Sequence, residues 1–428
     1  MKRILYMMMI LIITSPVYAG GYQVRLQGHR QTAMGLVGVS LFGDASNIFY
    51  NPAGLSLMRN KYRFLAGDVL DTVNTGLSLI NNKYSFMVGG SGILNSTTFR
   101  LENSVYQAET DNPMGTPLFF YGAAKITDRL AVGIGVYTPY GSSAKWGDDW
   151  AGAHLIQDIS LKAFFFQPTI SYKISDMFSL GAGLVIATGS VEINKAIPYN
   201  SAEELGQVNL QGTTTSFGYN LGAMFTPNEQ WSIGVNYRSL VKMTMDGGDA
   251  TFTVPSSMAG IVPPTNTFDA ELPLPANLDL GVAYQVTEKL LLSVEVNYVF
   301  WDVYDTLTFE FAQRPELLNS KNPREYSNKL IYRIGGEYII NNLITLRAGA
   351  YYDPSPTNKD YFNPETPSLN TIGLSAGLTI RPSEHLAIDI SYLHLETQKD
   401  TRSYMPEYFT GEYKTRTMIP GIGISYNF

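Results

Sequence analysis

LLSVEVNYVF, residues 291–300, alternates along its whole length. Leu292, Val294, Val296, Tyr298 and Phe300 share one face, and Leu291, Ser293, Glu295, Asn297 and Val299 the other. A period of two marks a strand with one apolar side. Trp231, Ile233, Val235 and Tyr237 repeat the pattern against Ser232, Gly234, Asn236 and Arg238. Leu386, Ile388, Ile390 and Tyr392 repeat it against Ala387, Asp389 and Ser391. Such a face turns inward in a soluble sandwich and outward, to lipid, in a membrane barrel. Facing lipid at the midplane costs a basic residue such as Arg238 about 2–4 kcal/mol, and an acid such as Glu295 less. In a barrel the apolar set therefore meets lipid and the polar set lines the lumen.

The connections separate these readings. Short turn signals stand at Thr127-Asp128, Ser175-Asp176, Pro227-Asn228-Glu229, Thr287-Glu288, Asn341-Asn342 and Pro382-Ser383-Glu384. Between them lie long polar or Pro-rich stretches: 141–158, 196–212, 247–269, 313–328, 353–369 and 399–414. Short turns at one end and long loops at the other are the asymmetry of outer-membrane barrels, with the long loops outside the cell. The chain after its leader suffices for about fourteen tilted spans of ~10 residues.

Both ends of the chain agree with export to that membrane. Lys2 and Arg3 precede the apolar run 4–13, and Val17-Tyr18-Ala19 fits a cleavage site. A signal peptide over 1–19, cleaved after Ala19, is expected. The run is too short for a spanning helix, and no internal run approaches the roughly 18 apolar residues that one needs. The last strand, Ile422-Gly-Ile-Ser-Tyr-Asn-Phe428, ends on an aromatic residue. Tyr (28) and Phe (21) far outnumber Trp (4), the stock from which interfacial girdles are built. Hydrophobic residues make up 45% of the chain although mean hydropathy is only −0.04, so apolar content alone does not separate a barrel from a large sandwich. A net charge of −7 argues against nucleic acid as partner. The absence of Cys removes disulfides, thiolate metal sites and cysteine nucleophiles. His29, His154, His385 and His394 are scattered without metal-ligand spacing, and no nucleophile elbow occurs. No enzyme, metal or cofactor is expected.

One segment does not fit a strand: Gly20–Leu57, GGYQVRLQGHRQTAMGLVGVSLFGDASNIFYNPAGLSL. It is Gly-rich and polar and precedes the expected first strand near Tyr62. Backbone polar groups cannot stay bare in lipid, so such a segment belongs inside the barrel as a plug. Asn51-Pro52-Ala53 taken alone is an ordinary Asx-Pro turn. Following Asp44-Ala45-Ser46-Asn47, however, it resembles the N-terminal hatch of the FadL/TodX family of hydrophobic-compound transporters. Similarity continues in order through Tyr140-Gly141, Trp150-Ala151-Gly152, 217–223, Tyr237-Arg238-Ser239, 346–349, Asp353-Pro354-Ser355-Pro356 and Ser375-Ala376-Gly377.

The resemblance implies an all-β, transmembrane antiparallel outer-membrane barrel of 14 strands over 58–428, with a hatch at 20–57 inside it. It implies diffusive uptake of long-chain fatty acids or of aromatic and aliphatic hydrocarbons, with lateral exit to the bilayer. Lys173 and Lys329 align with cationic positions that meet a fatty-acid carboxylate. The family places Arg at the first, so Lys173 keeps the charge and loses the bidentate fork; the bland reading of both is a solvated lumen or turn residue. Asn51, Pro52 and Ala53 are the expected gate. Gly133, Gly135, Pro139 and Gly141 crowd one strand, where Gly and Pro mark kinks and broken pairing; relief of lumen crowding is the alternative. Burial of a sixteen-carbon chain is worth on the order of 12 kcal/mol before ordering costs, so a carrier must also release what it binds. Expected partners are the ligand, membrane lipid, lipopolysaccharide and the barrel-assembly machinery reading Phe428, for a monomeric protein. The rival functions are a general porin for polar solutes and a structural or adhesive barrel.

Overall fold

The computed structural model describes residues 21–58, 83–199 and 201–428. The expected signal peptide and the expected strand start near Tyr62 lie outside them. The strands of the first half are β1 (Tyr84–Ser91), β2 (Leu94–Leu101), β3 (Gln107–Glu109), β4 (Leu118–Lys125), β5 (Leu130–Lys145), β6 (Asp158–Lys173), β7 (Phe178–Tyr199) and β8 (Ser201–Phe225). Next come β9 (Trp231–Arg238), β10 (Val241–Thr253), β11 (Thr265–Leu274), β12 (Asn277–Gln285), β13 (Leu290–Val299), β14 (Thr306–Phe311) and β15 (Ser320–Pro323). The last are β16 (Lys329–Ile339), β17 (Ile344–Asp353), β18 (Thr371–Ile380), β19 (Leu386–Glu396), β20 (Asp400–Tyr404) and β21 (Phe409–Asn427).

Fourteen of these close a ring: β1, β4 through β9, β12, β13, β16 through β19, and β21. Closure is made by β1, which pairs with β4 on one side and with the C-terminal β21 on the other. All ladders of the ring are antiparallel, and the ring closes on itself through β1. The alternation read from 291–300 is realised: Leu292 and Val294 are 46% and 52% exposed, while Ser293, Glu295 and Asn297 are buried. Ile134, Ile334, Leu374 and Ile422 join the same outer belt. At its lower rim Phe428 stacks near Phe86 and Tyr426, and its carbonyl accepts the Tyr84 amide.

The short turns all fall at one end, and four of the six share one chemistry. Thr127, Asn228, Thr287 and Asn341 each turn a side-chain oxygen onto the two amides that follow at i+2 and i+3. That local closure makes a tight reversal without glycine. The other end departs from expectation. Of the anticipated long loops, 196–199 and 201–212 belong to β7 and β8, which run 22 and 25 residues, 247–253 and 265–269 belong to β10 and β11, and 320–323 is β15; with β14 these extend the β8 sheet upward. Their polarity reflects water on the outward face, while Leu210, Phe252 and Phe268 are buried on the other, and Thr213-Thr214-Thr215 favours extended backbone all the same.

Residues 21–58 lie in the lumen. They form α1 (His29–Ala33), α2 (Asn47–Tyr50) and a 3₁₀ helix (Pro52–Leu57), all with buried side chains save Arg30. Contacts reach walls on opposite sides of the ring. A Cβ at Gly181 of β7 would stand 2.3 Å from the Pro52 carbonyl carbon, and one at Gly349 of β17 would stand 2.2 Å from the Gly35 nitrogen. Gly35 itself has φ +68°, which a side chain would strain.

Candidate ligand cavity and its closures

The lumenal segment is tied down by charge. Arg25 donates to Asp279 at 2.7 Å and to Glu295 at 2.8 Å, and Arg333 donates to Glu295 at 3.1 Å. The second Glu295 oxygen accepts the Gly38 and Val39 amides at 2.7 and 2.9 Å. Arg30 forks onto Glu337 at 3.0 and 3.1 Å, and Arg347 joins Glu337 to Asp389 at 2.7 and 3.1 Å. Strand periodicity points Glu295, Glu337 and Asp389 inward; the segment supplies Arg25 and Arg30 to meet two of them. His29 nests against glycines of β1 and β21 and bonds Ser391 at 3.0 Å. Burial, against a smaller opposing pull from Asp389, holds its pKa down at about 4.

Asn51-Pro52-Ala53 is keyed into the wall made by β6, β7 and β8. The Asn51 amide donates to Val39 at 2.8 Å and to Ala223 of β8 at 3.1 Å, and its side-chain carbonyl accepts the Ala53 amide at 3.1 Å. Pro52 starts the 3₁₀ helix, where its missing N–H costs nothing. The Ala53 carbonyl accepts Ser171 and Ser179, each at 3.0 Å.

The Gly–Pro strand divides into two parts. Gly133 and Gly135 sit in unbroken ladders with β4 and β6, and their missing side chains make room for Ile48. Crowding relief, the alternative considered above, describes them. Pairing changes at Pro139. The β4 ladder ends at Phe119–Tyr137, and the β6 register slips between Tyr137 and Tyr140. Beyond that point the lumenal segment takes the vacated edge: the Val24 amide donates to Pro139 at 2.8 Å, and the Gly141 amide to Tyr22 at 3.1 Å. Farther up, the Asp111 amide closes on Lys145 at 2.8 Å.

Lys173 and Lys329 are not brought together. Lys173 ends β6 beside a short turn, 2.6 Å from Asp176. Lys329 begins β16 at the long-loop end, opposite Val299. A single carboxylate cannot meet both, because the two lysines stand at opposite ends of the ring. The buried charges near an apolar hollow are others. A cavity of about 70 Å³ is walled by Leu161, Val191, Met243, Met245, Phe268 and Phe309, with Tyr22 and Glu365 at its edge. Glu365 lies 3.0 Å from Arg324, and both are buried. Burial pushes the Glu365 carboxyl up, but Arg324, helped by Lys195, overrides it and leaves it lowered. Lys195 extends its ammonium to 5.9 Å from the Phe309 ring centre. Arg324 and Glu365 come from two long-loop stretches and Lys195 from the upper part of β7, and no local sequence signal joins them. On the short-turn side a hollow of about 750 Å³ is lined by Arg30, Asp44, Asn228 and Glu288 among others.

Comparison with known proteins bears on what this arrangement is for. The family model described as outer membrane protein transport protein (OMPP1/FadL/TodX) matches residues 10–428. An outer membrane protein of Neisseria meningitidis is 27% identical over 92% of this chain and 90% of its own. The long-chain fatty acid transport protein of Escherichia coli is 22% identical over 71% of this chain and 75% of its own. The crystal structure of a Pseudomonas aeruginosa FadL homologue superimposes with a TM-score of 0.82 at 18% identity, covering 96% of this chain and all of that one. That likeness establishes a shared fold.

Proposed function

From the premise that this chain belongs to the OMPP1/FadL/TodX family, outer-membrane transporters of hydrophobic compounds, we propose that it carries long-chain fatty acids inward by diffusion. The acyl chain enters the Met- and Leu-lined cavity, with the carboxylate beside Arg324 and Lys195 in place of the Lys173–Lys329 pair. Residues 20–57 act as a plug that Asn51, Pro52 and Ala53 couple to the wall. Exit is lateral, through the gap above Tyr137 between β4 and β5. The protein works as a monomer among lipid and lipopolysaccharide, with Phe428 as the mark for the assembly machinery.

One observation carries this reading: Tyr22 walls the cavity while its carbonyl occupies the free edge of β5. Tyr22 is held there by Trp301 and Tyr304, with ring centres 5.0 and 5.8 Å away. A dry cavity of ~150 Å³ accommodates benzene, so a hollow of about 70 Å³ is too small for an acyl chain as it stands. An acyl chain needs Tyr22 to move, and moving Tyr22 strips the segment from β5. Occupancy and opening of the wall are then one event, and no gradient or nucleotide is required. A porin for polar solutes would need a wet passage where residues 21–58 stand.

Detergent-purified protein should bind cis-parinaric acid saturably, and the intact protein should show no steady ion conductance in planar bilayers. Removing residues 20–43 should produce a folded, conducting pore. Absence of binding refutes the transport reading; a truncated barrel that folds yet stays closed refutes the plug.

A further inference from the structure

The wall beside the cavity is interrupted a second time, between β8 and β10. Below, the Tyr219 amide donates to Ser239 Oγ and the Ser239 amide to the Tyr219 carbonyl, both at 2.9 Å. Above, the ladder resumes at Gln211–Asp249 and continues to Gln207–Thr253. Between these anchors 212–218 of β8 face 240–248 of β10 without ladder pairing; Ser216–Lys242 and Thr214–Thr244 keep the register of the lower anchor, and the two extra residues of β10 fall between Thr244 and Asp249. A bulge between Met245 and Gly248 in the β10–β11 ladder takes up part of the excess. Side chains bridge the seam: Ser216 Oγ donates to the Lys242 carbonyl at 2.6 Å, and Thr214 Oγ1 donates to the Thr244 carbonyl.

Directly behind the seam is the apolar cavity, lined here by Thr214, Met243 and Met245. Met245 lies over Gly212 and Val241 over Gly218, so flexible apolar groups close the inner side where a Cβ would collide. Unbranched thioether side chains re-pack at low cost. In front, Phe217 is 66% exposed at the top of the apolar belt, and the next outward positions are Thr215, Thr213 and Lys242. The Lys242 side chain, 60% exposed, pairs with Glu271 at 3.0 Å. The seam therefore begins where the belt gives way to polar surface. Backbone groups relieved of their ladder are tolerable at that level, whereas within hydrocarbon each would cost several kcal/mol.

We infer that the β8–β10 seam is a side entrance through which unbranched alkyl chains pass from the outer face of the membrane into the cavity. The inference rests on the transport reading and adds the route of arrival, distinct from the exit between β4 and β5. A slit anchored at both ends and roughly 25 Å long admits a chain one methylene wide and stops fused rings. Its latch is the pair of hydroxyl–carbonyl bonds from Thr214 and Ser216. Opening breaks both bonds while leaving the two anchors intact.

Stopped-flow binding of cis-parinaric acid, a linear polyene, tests the latch. Thr214→Val with Ser216→Ala should accelerate both association and release on the order of tenfold with little change in Kd, because the closed seam has lost two bonds. Thr215→Cys with Thr244→Cys, outward-facing positions in this Cys-free chain, can be joined by a short bis-thiosulfonate linker. The linked protein should bind on the order of tenfold more slowly and recover on reduction. A linked, heat-modifiable barrel that binds at the parental rate overturns the entrance even where the double hydroxyl variant fails to fold. Unchanged rates in a folded hydroxyl variant do the same. A parent that binds no probe overturns the transport reading and the entrance with it; a parent that binds, with a seam that has no kinetic effect, overturns the entrance alone.

Discussion

Arg25→Met should unseat the lumenal segment while leaving the barrel folded. Arg25 makes two charge-assisted bonds, at 2.7 Å to Asp279 and 2.8 Å to Glu295, with side chains no more than 7% exposed. Bonds to charged groups contribute about 1.5–3 kcal/mol each. Arg333 remains near both carboxylates, at 3.1 Å from Glu295 and 4.0 Å from Asp279, and recovers part of that sum. A net loss of about 3 kcal/mol raises the population of the displaced segment roughly a hundredfold. The ring ladders do not involve Arg25, so heat-modifiable mobility on gels should persist. Single-channel recording in planar bilayers is the assay: the parent stays closed, and Arg25→Met shows frequent openings that Arg25→Lys partly suppresses. A folded Arg25→Met protein as silent as the parent refutes the view that this charge cluster holds the segment.

Asn51→Ala removes donors to Val39 and Ala223 and the acceptor for Ala53; at about 1 kcal/mol per bond, fatty-acid uptake should fall severalfold with barrel folding intact. Gly181→Val places atoms on the Pro52 backbone, which a Cβ would meet at 2.3 Å; the segment should be expelled and conductance appear. His29 binds its proton at a pKa of about 4 in place and near 6.5 when released. The released state thus takes up protons first. Seating of the segment is fully favoured above pH 6.5 and weakens as pH falls through 6.5 toward 4, by up to ~3 kcal/mol. Openings should therefore increase between pH 7 and pH 5, and His29→Asn should flatten that dependence.

Strand alternation, the end that carries short turns, the closing strand and the inward face of Glu295 were all legible, because each depends on residues within about ten positions of one another. The reversals at Thr127, Asn228, Thr287 and Asn341 are local hydrogen-bond chemistry and were equally visible. What depends on height in the barrel was not. Lys173 and Lys329 match family positions that meet a fatty-acid carboxylate, yet they stand at opposite ends of the ring. Arg324 and Glu365 lie in separate connections and Lys195 in β7, and they meet only after closure brings β7 and the two upper loops together. Composition misled over 196–212 and 247–269, since the outward positions of strands above a membrane are polar and only the sparse buried set, such as Leu210, Phe252 and Phe268, is apolar. The Gly133–Gly141 run mixed two roles: two glycines give space to Ile48, while Pro139 marks the change of partner.

The most direct test of facilitated uptake with wall release is radiolabelled palmitate transport into a Gram-negative host lacking its own long-chain fatty acid transporter. Val24→Cys with Tyr140→Cys supplies a reversible tether between the lumenal segment and β5. Uptake should exceed that of the empty host with the parent, fall to the empty-host level with the tethered protein, and return when the tether is reduced. Uptake by the parent no greater than that of the empty host would contradict fatty-acid transport, and undiminished uptake by the tethered protein would contradict the coupled exit.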